Sequence, residues 1–98
     1  MNTPALRHLM GAYFHQDFFV SYGGVWETLE QFTRDAPEEA ELLPREIGLV
    51  LATNGTEAEV EAFLNELGCE YLAQPDDGGY RGWLTEIARR VRAAAGQP

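Results

Sequence analysis

Apolar residues recur along this chain at the three- and four-residue intervals of helices, and polar residues between them mark out one amphipathic segment after another. Leu6, Leu9, Met10, Tyr13 and Phe14 fall at i, i+3, i+4, i+7 and i+8, which predicts a first helix opening near Pro4. Arg7, His8, Gly11 and His15 lie off that apolar face. The run Phe18-Phe19-Val20 is too short to assign by its period and leaves room for a minor strand. Gly23-Gly24 breaks the chain before a second helix in which Val25, Trp26, Leu29 and Phe32 point inward. Glu27 and Glu30 sit early in it, where the helix dipole favours acids. Asp35-Ala36-Pro37 closes that helix, and Asp35 or Ala36 caps a third that Pro37 opens.

Pro44 would remove a backbone hydrogen bond and clash with the preceding turn inside a helix, so a kink or restart is expected there. Ala40, Leu43, Ile47, Val50 and Leu51 keep a helical spacing across it, and Asn54-Gly55 supplies a turn. Thr56 and Glu59 have the form of a capping box ahead of Val60, Phe63, Leu64 and Leu67, with Gly68 placed to close the helix in the left-handed conformation. Cys69 reads as a small residue turned to the core, and Gln74 to Gly79 as an exposed loop. The last helix puts Tyr80, Trp83, Leu84, Ile87, Ala88 and Val91 on one face, with Arg81, Arg89, Arg90 and Arg92 mostly on the other. The predicted fold is all-α: one small domain of about four to five short amphipathic helices. It occupies residues 1–98, with an ordered core from about residue 4 to about residue 95 and a frayed end at Gly96-Gln97-Pro98.

Ninety-eight residues with 45% apolar content and two tryptophans suit a single folded core. No apolar run approaches the roughly 20 residues of a membrane helix, and Met1-Asn2-Thr3-Pro4 lacks the character of a signal peptide. A cytoplasmic protein without membrane association is therefore expected, in keeping with one cysteine that has no partner for an internal disulfide. Charge changes the picture most. All seven basic residues are arginine, against sixteen acids, for a net charge of −9. From Glu27 to Asp77 fourteen acids face only Arg34 and Arg45, whereas outside that window two acids face five arginines. Such a lopsided chain repels nucleic acid directly and attracts a basic protein.

The candidate chemistry is sparse. His8 and His15 are seven residues apart, not the i, i+4 of a zinc-binding helix, and the acids show no diagnostic spacing for a metal. His15 and Asp17 are close enough to share a hydrogen bond, but no nucleophile accompanies them. Gly23-Gly24 and Gly78-Gly79 lack the further glycines and the lysine of a phosphate loop. No catalytic residue, no metal ligand set and no cofactor is assigned, and a binding protein is the expectation. An acidic regulatory adaptor or nucleic-acid mimic, acting on another basic cellular protein, is the alternative. A small metal-dependent enzyme built on His8, His15 and Asp17 is a more distant one.

The string Gly11-Ala12-Tyr13-Phe14-His15-Gln16-Asp17, with Trp26, Phe32, Leu67-Gly68-Cys69 and Tyr80-Arg81-Gly82-Trp83-Leu84, resembles bacterial immunity proteins of contact-dependent growth inhibition systems. The resemblance runs from Leu6 to about Val91. It implies a cytoplasmic, non-enzymatic protein that binds the toxic C-terminal domain of a surface-delivered effector and neutralises it. Such toxins are frequently nucleases. The basic cleft that a nuclease needs for phosphates would be attracted to the acidic middle of this chain, which would occlude the active site or the substrate path. Tyr13, Phe14, His15, Gln16, Asp17, Trp26 and Trp83 are expected to be scaffold. Partner contacts are expected at Glu57, Glu61, Asp76 and Asp77, at a second patch of Glu38, Glu39 and Glu41, and at Tyr22 and Tyr71, since aromatic side chains dominate binding hot spots.

Overall fold

The computed structural model describes residues 2–15 and 22–96. Within them the chain is all-α. Helix α1, Pro4–His8, runs straight into a π turn at Leu9–Tyr13. It is followed by α2, Val25–Asp35, by the short α3, Pro37–Ala40, by α4, Leu43–Thr53, and by α5, Glu57–Glu66. A 3₁₀ turn at Pro75–Asp77 leads into α6, Gly79–Ala94. The described residues contain no strand, and none of their helices is long and apolar enough to cross a membrane.

The long α6 is the floor of the fold. It packs against α4 and α5, while α1 lies across α4 and the π turn meets α2. Trp83 of α6 is fully enclosed, with the Phe14 ring edge-on at 5.0 Å between centroids and the Tyr71 ring at 4.7 Å. Leu6, Leu9, Met10, Phe14, Phe32, Leu43, Ile47, Leu64, Leu84 and Ile87 complete the core. Their helical spacing is the one that the sequence predicts, because burial on one stripe is what stabilises short helices that could not persist alone.

Three expected boundaries hold, each for a local reason. Pro44 stands in the first turn of α4, where the missing N–H costs nothing, so the chain restarts after α3 instead of bending a continuous helix. Thr56 and Glu59 form the reciprocal capping box of α5. At the other end Gly68, at φ +93°, permits the Gly68 N–H to reach the Asn65 carbonyl and the Cys69 N–H to reach the Leu64 carbonyl, a Schellman closure.

The π turn differs from the regular helix predicted for residues 4–14. Its wider winding, with the Phe14 N–H bonded to the Leu9 carbonyl at 3.0 Å, keeps Leu9, Met10, Tyr13 and Phe14 all buried. It also brings Gly11 against the end of α5, where a β-carbon would lie 3.3 Å from the Leu67 carbonyl oxygen. One residue past the Schellman closure, the Glu70 N–H donates to the Phe14 carbonyl at 2.8 Å. The possible strand at Phe18-Phe19-Val20 falls on residues 16–21, outside the described residues, as does the Asp17 half of the His15–Asp17 pairing.

Candidate partner-binding surfaces

Two of the helices that have no capping side chain of their own take one from another helix. The N-cap of α6 is Gly78, whose left-handed φ of +78° turns the chain into the helix but brings no acceptor. Glu57, in the first turn of α5, fills that role. Its carboxylate accepts the backbone N–H of Tyr80 at 2.5 Å and of Arg81 at 3.1 Å. At the N-terminus of α1, Thr3 makes no side-chain cap, and the buried Glu46 of α4 accepts from Ala5 N–H at 3.1 Å and Leu6 N–H at 2.9 Å. Arg81 reciprocates at the C-terminal end of α4, donating to the Asn54 carbonyl at 2.5 Å and the Leu51 carbonyl at 3.3 Å. These charged groups satisfy helix-terminal backbone that would otherwise go unpaired.

The predicted contacts at the loop before α6 divide. Asp76 is exposed, whereas Asp77 is half-buried and accepts the Tyr71 hydroxyl at 2.5 Å and the Gln74 N–H at 2.8 Å. Tyr71 packs its ring on Trp83, and its carbonyl accepts the Tyr80 hydroxyl at 2.9 Å. Burial first, and the hydrogen bond and charge of Asp77 second, push the Tyr71 phenol well above its usual range. Gly82 lets α6 pass this loop, since a β-carbon there would collide with the Asp77 carbonyl oxygen.

The second predicted patch divides in the same way. Glu38 and Glu41 are exposed, whereas Glu39 holds the His8 Nδ1 at 2.8 Å. The His8 ring sits edge-on to Phe32 and to Tyr13, at 5.3 and 5.5 Å. Tyr13 donates its hydroxyl to Asp35 at 2.7 Å and stacks on the half-buried Tyr22 at 5.6 Å. Burial, then the Asp35 hydrogen bond, raise the Tyr13 pKa to about 12, and the same bond holds the Asp35 carboxyl below its usual range. Glu61, Asp76, Glu38 and Glu41 thus remain as exposed carboxylates without such ties among the described residues, while Glu57, Asp77, Glu39 and Tyr71 are engaged within the fold.

One surface feature was not anticipated. Trp26, expected to face inward, is only half-buried, and the Arg90 guanidinium lies 3.9 Å from its ring centroid. The two flank a cleft of about 490 Å³ between α2 and the C-terminal half of α6, walled also by Leu29, Val91 and Arg34. Glu86 accepts from Arg89 at 2.7 Å and from Arg90 at 2.8 Å, and these two hydrogen bonds lower its pKa to about 2. The spacing of Glu86 to Arg89 and Arg90, three and four residues, was visible in the sequence as helix-surface pairing. That Arg90 would lie over Trp26 was not.

The family model for CdiI immunity proteins matches residues 2–91. The chain belongs to that family. Among curated proteins and among solved structures nothing matches it significantly. In this CdiI-family chain the segments that carry the resemblance are placed mainly inside. Tyr13, Phe14 and Trp83 are buried, His15 is half-buried, and Gln16 and Asp17 lie outside the described residues. Gly11, Gly68 and Gly82 stand where backbones approach one another. Among the described residues there is no group of three or more histidine, cysteine or acidic side chains disposed to hold a metal ion. As a CdiI immunity protein the chain neutralises a toxin of contact-dependent inhibition, a task that calls for surface.

Proposed function

We propose that this immunity protein acts in the cytoplasm as a non-enzymatic inhibitor, covering the active site or the substrate path of a basic, nuclease-type toxin domain. The observation that carries the reading is the exposure of Glu38, Glu41, Glu61 and Asp76 on a chain of net charge −9. Exposed carboxylates that cap no helix are available to arginines and lysines of a partner. The phosphate-binding cleft of a nuclease supplies such cations in a concave arrangement, so acidic contacts from an inhibitor compete with nucleic acid for the same groups.

Binding of this kind has a kinetic signature. Long-range attraction raises the association rate and is screened by salt, whereas dissociation depends on the packed contacts and responds little. The test co-expresses this protein with the C-terminal region of the effector encoded immediately upstream, then measures growth and complex formation. Relief of growth arrest, with a complex whose association rate falls steeply between low and physiological salt, is the expected result. An active toxin that neither binds the protein nor is relieved by it removes the cognate-pair reading. A salt-independent association rate removes the electrostatic part.

A further inference from the structure

The cleft between α2 and α6 is lined by more cationic than anionic side chains, on a chain whose net charge is negative. Three of the seven arginines, Arg34, Arg89 and Arg90, line it with one carboxylate, that of Glu30, while Glu86 pairs with Arg89 and Arg90 from beside it. A locally positive cleft on a chain of net charge −9 does not serve solubility, which the acids already supply. Arg90 is also preorganised. Glu86 takes its Nε–H and the Trp26 ring supports its plane, while its two terminal NH2 groups make no internal hydrogen bond among the described residues. Those two groups form the fork that recognises a carboxylate bidentately, and the aromatic face beneath lowers the entropic cost of using it. Leu29 and Val91 give the cleft an apolar floor for the rest of a side chain.

We propose that this cleft is a second contact site for the toxin, seating an acidic segment of it, with a carboxylate on Arg90 and Arg34 and its aliphatic stem against Trp26. The inference rests on the toxin-binding reading above. It assigns the complex two opposite electrostatic contacts, basic toxin surface on the exposed acids and acidic toxin segment in the cleft. Such a pairing fixes orientation and rejects non-cognate toxins that are merely basic.

The sign of one substitution separates this contact from the general attraction. Making the immunity protein more acidic should strengthen binding to a basic toxin if only net charge matters. Arg34→Glu combined with Arg90→Glu should instead weaken binding by about tenfold or more if the cleft is occupied. Ala93→Trp, a substitution at an exposed position on the cleft wall, should weaken it comparably by filling the space. Each variant is compared with wild type by calorimetric titration against a catalytically inactivated toxin domain, with circular dichroism confirming the fold. Wild-type or tighter affinity in either folded variant overturns the cleft proposal. Absence of binding by the wild type overturns the toxin reading itself, so the two failures are distinguishable.

Discussion

The carboxylate of Glu57 closes the N-terminus of the helix that begins beside Tyr80, twenty-three residues further along the chain, through a 2.5 Å hydrogen bond to the Tyr80 backbone N–H. A residue that reads from sequence as surface charge is thereby a joint between α5 and α6. Glu57→Ala should cost about 1–2 kcal/mol of stability, the usual loss for a helix cap, and Glu57→Gln somewhat less. Glu61→Ala, one turn along on the same helix and without such a partner, should stay within about 0.5 kcal/mol of wild type. Urea unfolding followed by circular dichroism checks both, and equal effects at the two positions would refute the cap.

Glu46 makes the stronger version of the same joint, because its carboxylate is buried. Removing it leaves the N–H groups of Ala5 and Leu6 without an acceptor in a dry site, so Glu46→Ala should lose about 2–3 kcal/mol. The same urea series measures it, and a loss near zero would mean that solvent reaches these amides.

Two helical glycines should respond with opposite signs to alanine. At Gly82 the new methyl collides with the Asp77 carbonyl oxygen and must displace backbone, costing about 1–3 kcal/mol despite the gain in helix propensity. At Gly48, in the exposed middle of α4, nothing lies within 4 Å, and the substitution should stabilise by about 0.5–1 kcal/mol. Thermal melts of the two variants decide it, and a stabilised Gly82→Ala would contradict the close approach of α6 to its loop.

Alkaline pH should unfold the domain earlier than its charge alone suggests. Burial raises the pKa of Tyr13 to about 12 and shifts Tyr71 and Tyr80 in the same direction, while the unfolded chain keeps tyrosines near the ordinary 10.0. The folded state then holds protons that the unfolded state has released. This contribution is complete below pH 10 and is lost as pH rises toward 12. Urea midpoints measured between about pH 9 and pH 11.5 should fall with pH, and Tyr13→Phe should make the fall shallower. A flat profile would mean that these phenols ionise as freely in the folded state as in solution.

The two tryptophans offer a direct reading of the surface. Trp83 is fully enclosed and Trp26 is half-buried beneath a guanidinium, so iodide, an anion, should quench Trp26 and spare Trp83. Trp26→Phe should leave an emission that iodide barely affects, and undiminished quenching in that variant would place Trp83 in contact with solvent.

Sequence periodicity was a good guide wherever the cause was local. The buried stripe of α6, the Thr56–Glu59 box, the restart at Pro44 and the closure at Gly68 all depend on residues within one or two turns of each other. The π turn was hidden because one extra residue per turn changes the phase of a helix without changing the kinds of residue in it. Glu57 and Arg81 look like solvated charges in the sequence and cap backbone in the fold, a difference created by tertiary approach. The cleft at Trp26 was equally hidden, since its walls come from helices some sixty residues apart, as the numbers of Trp26 and Arg90 show.

The borrowed caps have a consequence for how the molecule opens. Neither α1 nor α6 is complete without a carboxylate from another helix, so an excised peptide of either should be largely unstructured, and in the intact chain neither end can loosen without leaving a charge on its neighbour unpaired. Opening is thereby tied across the chain: amide protons at Leu6 and Tyr80, at the very starts of their helices, should exchange with solvent at rates set by global unfolding and not by fraying.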